Sequence, residues 1–97
     1  RKGEHPMYSK KTTVRNRTGL HARPASDFVS AAGKFKSTKI TIKRPGGGEE
    51  ANAKSIVMLL SLGLAQGEEV ELIGNGAEEV EAVDSLIALI NSGFGEA

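Results

Sequence analysis

The residues best suited to chemistry lie close together at 18–25, which read Thr-Gly-Leu-His-Ala-Arg-Pro-Ala. Pro24 fits only the first turn of a helix, where its missing N–H costs nothing. His21 is therefore predicted at or beside the N-terminal cap of that helix. There the backbone N–H groups of Ala22 and Arg23 point outward and the helix dipole favours an anion. The pattern predicts a phosphate site at this helix end.

An imidazole at this position is suited to carrying a phosphoryl group. A histidine ring nitrogen is nucleophilic when it is unprotonated, and a phosphoryl group on nitrogen is reactive enough to be passed on. Arg23 adds a planar cation that can hold two phosphate oxygens at once. The alternative is a histidine that only caps the helix. The neighbouring Arg23 and Pro24 favour a reversible phosphoryl relay through His21.

Other kinds of site lack the residues they need. The chain has no cysteine, which excludes disulfides, thiolate chemistry and Cys-ligated metals. If His5 belongs to a tail, one histidine remains, too few for a two-His metal site, and no serine has a recognisable base partner. The glycines at 46–48 lack the Gly-Lys-Ser/Thr ending of a nucleotide-binding loop and predict a turn. We expect neither a metal nor a cofactor.

Length and hydropathy indicate one small domain. The 97 residues can bury one compact core. Residues 1–6 are polar and patternless, so we expect an appended or disordered tail there and a single domain over 7–97, with Met7 as a plausible natural start. The longest apolar run, 56–60, is far shorter than the roughly 18 residues of a membrane span, and we recognise no signal peptide. These features predict a cytoplasmic protein without membrane insertion.

Charge is divided unevenly along the chain although the formal net charge is only +1. Residues 1–48 contain 12 Lys or Arg and two acidic residues, whereas residues 67–97 contain eight Asp or Glu and no Lys or Arg. A basic half predicts a partner with an acidic surface. The alternative is that these charges lie on the solvated faces of ordinary helices and strands.

The elements that must position His21 follow from hydrophobic periodicity and turn residues. The last helix is predicted from Val80, Val83, Ile87, Ile90 and Phe94, with Leu86 beside them, and it should stop at Gly93. The predicted elements are strand 8–15, helix 22–35, a hairpin of strands 39–43 and 49–52, a helix from 56 to about 63, strand 69–73 and the last helix. This βαββαβα order predicts a two-layer α+β fold in which three helices cover one face of a four-stranded antiparallel sheet.

Over residues 7–97 the chain resembles the HPr family of the bacterial phosphoenolpyruvate-dependent sugar phosphotransferase system. Residues 19–25 read Gly-Leu-His-Ala-Arg-Pro-Ala, the active-site signature of that family. A second motif, Asn-Ala-Lys-Ser-Ile at 52–56, is followed by Ser-Leu-Gly at 61–63. The loop at 45–50 is longer than is usual in the family. The resemblance implies the family's open-faced β-sandwich.

The resemblance also implies a mechanism. His21 would accept a phosphoryl group from phosphorylated enzyme I and donate it to a sugar-specific enzyme IIA component. Arg23, together with Thr18 and Ala22, would stabilise the phosphoryl group in transit. The protein would be a monomeric carrier that is consumed and regenerated stoichiometrically, and so not an enzyme.

The same resemblance implies an apolar docking patch beside His21, formed by Leu20, Ile56, Val57 and Leu60. We expect Leu20 and Val57 to be exposed, and the inward members of the short helix to be ordinary core. Basic residues around the first helix would meet acidic partner faces.

Ser55 matches the position at which many family members are phosphorylated by HPr kinase/phosphorylase. A dianion at a helix N-cap would stabilise the helix and at the same time repel acidic partners, which predicts a brake on the relay. The alternative is a plain N-cap serine. Met58 replaces a small residue that is common in serine-regulated members.

Two other functions compete with the relay. One is a regulatory paralogue, which uses phosphorylated Ser55 to bind a catabolite-control transcription factor or belongs to a nitrogen branch. The other is an RNA-binding module, which a basic βαββαβ chain can form. Such modules need aromatic residues on the sheet, and here the three Phe fall in predicted helices and leave Tyr8 alone. We therefore expect no nucleic-acid partner.

Overall fold

The computed structural model describes residues 7–95 and has the predicted βαββαβα order. The predicted tail at 1–6 lies outside the described residues. The strands are β1 (Tyr8–Thr13), β2 (Thr38–Lys43), β3 (Glu50–Asn52) and β4 (Glu69–Gly76). The helices are α1 (Ala22–Gly33), α2 (Ile56–Ser61) and α3 (Glu79–Asn91), followed by a 3₁₀ turn at Gly93–Gly95.

The four strands form one antiparallel sheet in the order β1-β4-β2-β3. Strand β4 pairs with both β1 and β2, so the last strand in the chain lies near the centre of the sheet. Its side chains alternate, with Val70 and Leu72 buried and Glu69 exposed. This alternation is what a sheet with one covered and one wet face requires.

The core lies between the sheet and the three helices. Helix α3 packs on β1, β4 and β2, and α1 packs on α2 and α3. The largest fully buried side chains come from every layer: Phe28, Leu20, Ile40, Ile42, Leu59, Leu64, Leu72, Leu86 and Ile90. The predicted two-layer fold is thus confirmed. None of the helices within residues 7–95 has both the length and the apolar character needed to cross a membrane.

Two sequence-based expectations about the end of the fold are wrong. Strand β4 continues through Gly74 to Gly76 instead of ending at Ile73. The glycine serves close packing, since a Cβ at Gly74 would lie 2.9 Å from Val83 Cγ2. On α3, Val80 is 51% exposed because the buried stripe runs through Ala82, Val83, Leu86 and Ile90. The predicted stop at Gly93 is confirmed, and Phe94 lies in the turn beyond it.

Candidate phosphoryl-transfer site

His21 is the N-cap of α1, which confirms its predicted position at the start of that helix. Its backbone is extended, its carbonyl accepts the N–H of Ala25 at 3.4 Å, and Pro24 is buried in the first turn. The His21 side chain makes no capping hydrogen bond to the helix and is exposed. The ring therefore does not cap the helix in this structure, and the imidazole is accessible to a partner.

Ala22 has a backbone φ of 50°, and with Phe94 it is one of two non-glycine residues within 7–95 that have a positive φ. A left-handed conformation is unfavourable for a residue with a Cβ, and such strain persists only where the surroundings enforce it. The strain sits directly after His21, where the chain turns from an extended segment into α1. Strained backbone of this kind concentrates at functional sites.

The segment before His21 is built around two residues, Gly19 and Asn16. Gly19 has φ of 70°, and a Cβ there would lie 2.4 Å from the Leu64 carbonyl oxygen. The buried Asn16 amide donates to the Gly19 carbonyl at 2.8 Å and to the Thr18 hydroxyl at 3.2 Å. Sequence reasoning missed Asn16 as a structural residue. The available signal was the preference of asparagine for bonding the backbone of nearby turns.

The prediction that Leu20 is exposed is wrong, because its exposed fraction is 0%. Its N–H donates to the Leu64 carbonyl at 3.0 Å, and its side chain belongs to the core cluster. The sharp bend at Gly19 turns Leu20 inward while leaving His21 outside. Leu20 therefore anchors the site to the core and contributes no docking surface in this conformation.

Helix α2 presents an exposed apolar surface that we call the α2 patch: Ile56, Val57, Met58 and Leu60. Val57 is 74% exposed, as expected. The inward side of α2 was expected to be core, and within the helix only Leu59 is buried. The α2 patch includes Met58, which was not among the predicted docking residues, and it lacks Leu20, which was. Four large apolar side chains exposed on one short helix are typical of an interaction site.

Ser55 is the N-cap of α2, and its hydroxyl accepts the N–H of Met58 at 3.2 Å. The preceding Lys54 donates from Nζ to the Phe35 carbonyl at 2.6 Å, just beyond the C-terminal end of α1. Leu64, beyond the other end of α2, bonds to Leu20 beside His21. The start of α2 thus lies near the end of α1, and the chain that follows α2 returns to the start of α1.

Tertiary structure places some of the basic residues on the sheet and others around α1. On the sheet, Lys11 and Lys43 lie opposite Glu71, and Lys43 also lies opposite Glu50. Opposite charges in cross-strand register stabilise one another, so Lys11 and Lys43 are balanced within the sheet. Arg17 and Arg23, by contrast, lie exposed around the start of α1. The expectation of an acidic partner therefore depends on the basic residues around α1, which also include the exposed Lys34 and Lys36 at and beyond its C-terminal end.

The described residues include no cluster of His, Cys, Asp and Glu that could hold a metal ion. What the site offers is an exposed imidazole, a guanidinium and helix-end N–H groups. Groups of these kinds bind phosphate.

An exposed histidine at the start of a helix, beside an arginine, is the arrangement expected of a phosphocarrier protein. The family model described as "PTS HPr component phosphorylation site" matches residues 8–92. The chain therefore belongs to the HPr family of phosphocarrier proteins.

Individual relatives agree with this assignment. Phosphocarrier protein NPr of Proteus mirabilis is 39% identical over 90% of this chain and 94% of its own. HPr-like protein Crh of Bacillus subtilis is 44% identical over 87% of this chain and 95% of its own. The solved structure of HPr-C-His from Thermoanaerobacter tengcongensis superposes with a TM-score of 0.86 and 43% identity, covering 93% of this chain and 98% of that one.

Proposed function

We propose that this protein relays a phosphoryl group through His21, accepting it from phosphorylated enzyme I and donating it to a sugar-specific enzyme IIA. The observation that carries the proposal is the exposed imidazole at the N-cap of α1, which makes no capping hydrogen bond to the helix. A partner can reach this ring from solvent. A ring nitrogen that is not bound to its own helix is available as a nucleophile.

In the transfer step, a ring nitrogen of His21 attacks phosphorus, and the N–P bond forms as the bond from phosphorus to the donor breaks. The transferring group spreads its negative charge over three oxygens. Ala22 and Arg23 supply the helix-end N–H groups, since Pro24 has none and the N–H of Ala25 bonds to the His21 carbonyl. The Arg23 guanidinium neutralises further charge. Donation to enzyme IIA is the same step in reverse with a different partner.

The α2 patch supports docking to both partners. Its exposed apolar side chains provide the central contact area, and Arg17 and Arg23 provide charge that complements an acidic face. His21 lies on open surface, so the partner must complete the site around it. In this proposal the protein is a monomeric cytoplasmic carrier, is regenerated stoichiometrically and is not an enzyme.

Phosphorylation of Ser55 is the proposed brake on this relay. The Oγ atom already caps α2, so a phosphate there would gain the N-terminal N–H groups of the helix. It would also place a dianion against the α2 patch, where an acidic partner must dock. HPr kinase/phosphorylase would be the modifying partner.

A regulatory or nitrogen-branch role is the second candidate. Relatives named NPr, Crh and HPr match at 39%, 44% and 43% identity, so identity does not choose among these branches. The two roles differ in the partner and in what the phosphorylated protein does with it. Transfer from phosphorylated His21 to a sugar-specific enzyme IIA supports the relay, and binding of the Ser55-phosphorylated protein to a catabolite-control transcription factor supports the alternative.

The test is incubation with enzyme I, phosphoenolpyruvate and Mg²⁺, followed by intact mass measurement before and after acid treatment. We expect the wild-type chain and His5→Ala to gain one acid-labile phosphoryl group, and His21→Ala to gain none. His5→Ala is the matched control because it removes the only other histidine. No gain by wild-type protein, with enzyme I active on another HPr, would contradict the relay.

A further inference from the structure

The segment that carries His21 is held by a second loop, which joins α2 to β4. Residues 14–20 and 64–68 run side by side beyond the paired ends of β1 and β4. The bonds between them are Val14 N–H to Glu68 O at 2.9 Å, Gly67 N–H to Val14 O at 2.8 Å, Gln66 Nε2 to Arg15 O at 3.0 Å and Leu20 N–H to Leu64 O at 3.0 Å. The position of the second loop therefore determines where Leu20, the neighbour of His21, is held.

This second loop is itself anchored by a charged pair. Arg44, just after β2, donates from Nε to Glu68 Oε1 at 2.6 Å and from Nη2 to Glu68 Oε2 at 3.2 Å. The Glu68 carboxylate also accepts the N–H of Ala65 at 3.0 Å, closing the loop on itself. Arg44 Nη2 reaches the Gly63 carbonyl at 3.5 Å. The Arg44 guanidinium and the Glu68 carboxylate thus bond to both ends of the loop.

We infer that Arg44 and Glu68 are positioning residues for phosphoryl transfer, holding loop 64–68 so that Leu20 and His21 stay in place at the start of α1. This inference rests on the proposed function of His21. Neither residue belongs to the two motifs by which the chain resembles its family.

The pair has the geometry that lets an exposed ion pair contribute. Isolated surface pairs usually contribute little, and the side chains here are 41% and 33% exposed. A two-bond Arg–carboxylate fork that also binds backbone groups is the exception, because each further bond uses side chains that are already ordered. In agreement, hydrogen bonds from Arg44 and then from Ala65 lower the pKa of Glu68.

The structure supplies a matched control in the pair formed by Lys10 and Asp84. Its atoms are 2.9 Å apart and its side chains are 47% and 45% exposed. It joins β1 to α3 and does not include either of the two loops. Asp84→Asn therefore removes a comparable pair without touching the anchor of the His21 segment, whereas Glu68→Gln and Arg44→Lys each weaken that anchor while keeping side-chain size.

The experiment measures two quantities in the full-length protein: the rate of phosphorylation by enzyme I at varied carrier concentration, and amide hydrogen exchange at Leu20. For Glu68→Gln and Arg44→Lys we expect a maximal rate lower by roughly fivefold with an unchanged half-saturating concentration, since positioning changes and the α2 patch does not. Exchange at Leu20 should rise relative to amides of β4. Asp84→Asn should match wild type in the phosphorylation rate and in the exchange of Leu20 relative to the amides of β4.

Two results would overturn the inference. One is Glu68→Gln behaving like Asp84→Asn in both rate and exchange. The other is equal acceleration of exchange at Leu20 and throughout β4, which would show general destabilisation rather than local loosening. If wild-type protein accepts no phosphoryl group, the proposed function fails first, and exchange at Leu20 still decides whether the pair holds this segment.

Discussion

At the scale of single residues, the site depends on a few side chains with distinct tasks. His21 supplies the nucleophile, and Arg23 is an exposed side chain of the first turn of α1. A guanidinium can bind two phosphate oxygens in one plane, whereas an ammonium acts as a point charge. The identity of residue 23 as arginine, beyond its charge, should therefore matter for transfer.

We expect Arg23→Lys to slow phosphorylation by about tenfold, because it loses one charge-assisted hydrogen bond to the phosphoryl group. Arg23→Ala should slow it further. The measurement is the initial rate with enzyme I at saturating carrier concentration. Arg17→Lys is the matched control, since Arg17 is also exposed but lies outside the first turn of α1. Equal rates for Arg23→Lys and wild type would show that only charge is used.

At the scale of elements, the His21 segment and the 64–68 loop are packed too closely for any side chain at Gly19. We expect Gly19→Ala to lower the free energy of unfolding by about 2–4 kcal/mol, from backbone strain and the clash with the Leu64 carbonyl. Gly63→Ala should cost only about 1 kcal/mol, because Gly63 has a similar φ of 62° but open space around it. Denaturant unfolding measures both, and equal losses would mean that the close approach is unimportant.

The cap of α2 separates a structural from a regulatory role of Ser55. Ser55→Ala removes the bond to the Met58 N–H and should cost about 1 kcal/mol of stability while leaving phosphoryl transfer unchanged. Ser55→Asp can still cap the helix and should keep stability, yet its charge should raise the half-saturating concentration for enzyme I. Unfolding curves and transfer kinetics of the two variants test this. Unimpaired transfer by Ser55→Asp would favour the plain cap.

At the scale of the whole molecule, two ion pairs link the stability of the fold to pH. Arg44 lowers the pKa of Glu68, and Lys10, with help from the Tyr8 hydroxyl, lowers the pKa of Asp84. A carboxyl whose pKa is lower in the folded state stabilises the fold above its unfolded pKa, and this contribution disappears as pH falls through the folded value. The ordinary values are 4.5 for Glu68 and 3.8 for Asp84, so the loss begins near pH 4.5 and continues downward.

We therefore expect the wild-type free energy of unfolding to fall as pH decreases from 6 to about 2. Glu68→Gln and Asp84→Asn should each be less stable than wild type at pH 6 and should approach it at the acid end. Denaturant unfolding across this range provides the measurement. A constant difference between wild type and each variant at every pH would mean that these carboxylates do not titrate with folding.

The sequence by itself determined those features that depend on neighbouring residues. Pro24 requires the first turn of a helix, which predicts His21 at or beside the N-cap, and the structure has it as the N-cap. Serine favours a cap, as Ser55 confirms, and the alternation of apolar residues predicts the strands and their antiparallel sheet with one covered face.

Tertiary structure alone decided the features that join distant parts of the chain. Leu20 packs in the core and its N–H bonds to the carbonyl of Leu64, far along the chain. Strand β4 continues through Gly74 because that residue pairs with both β1 and β2. The exposure of the α2 patch was undecidable from a uniformly apolar run, which has no periodicity to mark its inner face. Arg44 and Glu68 look like ordinary surface charges until the fold brings them together, since local rules carry no information on contacts between residues 24 positions apart.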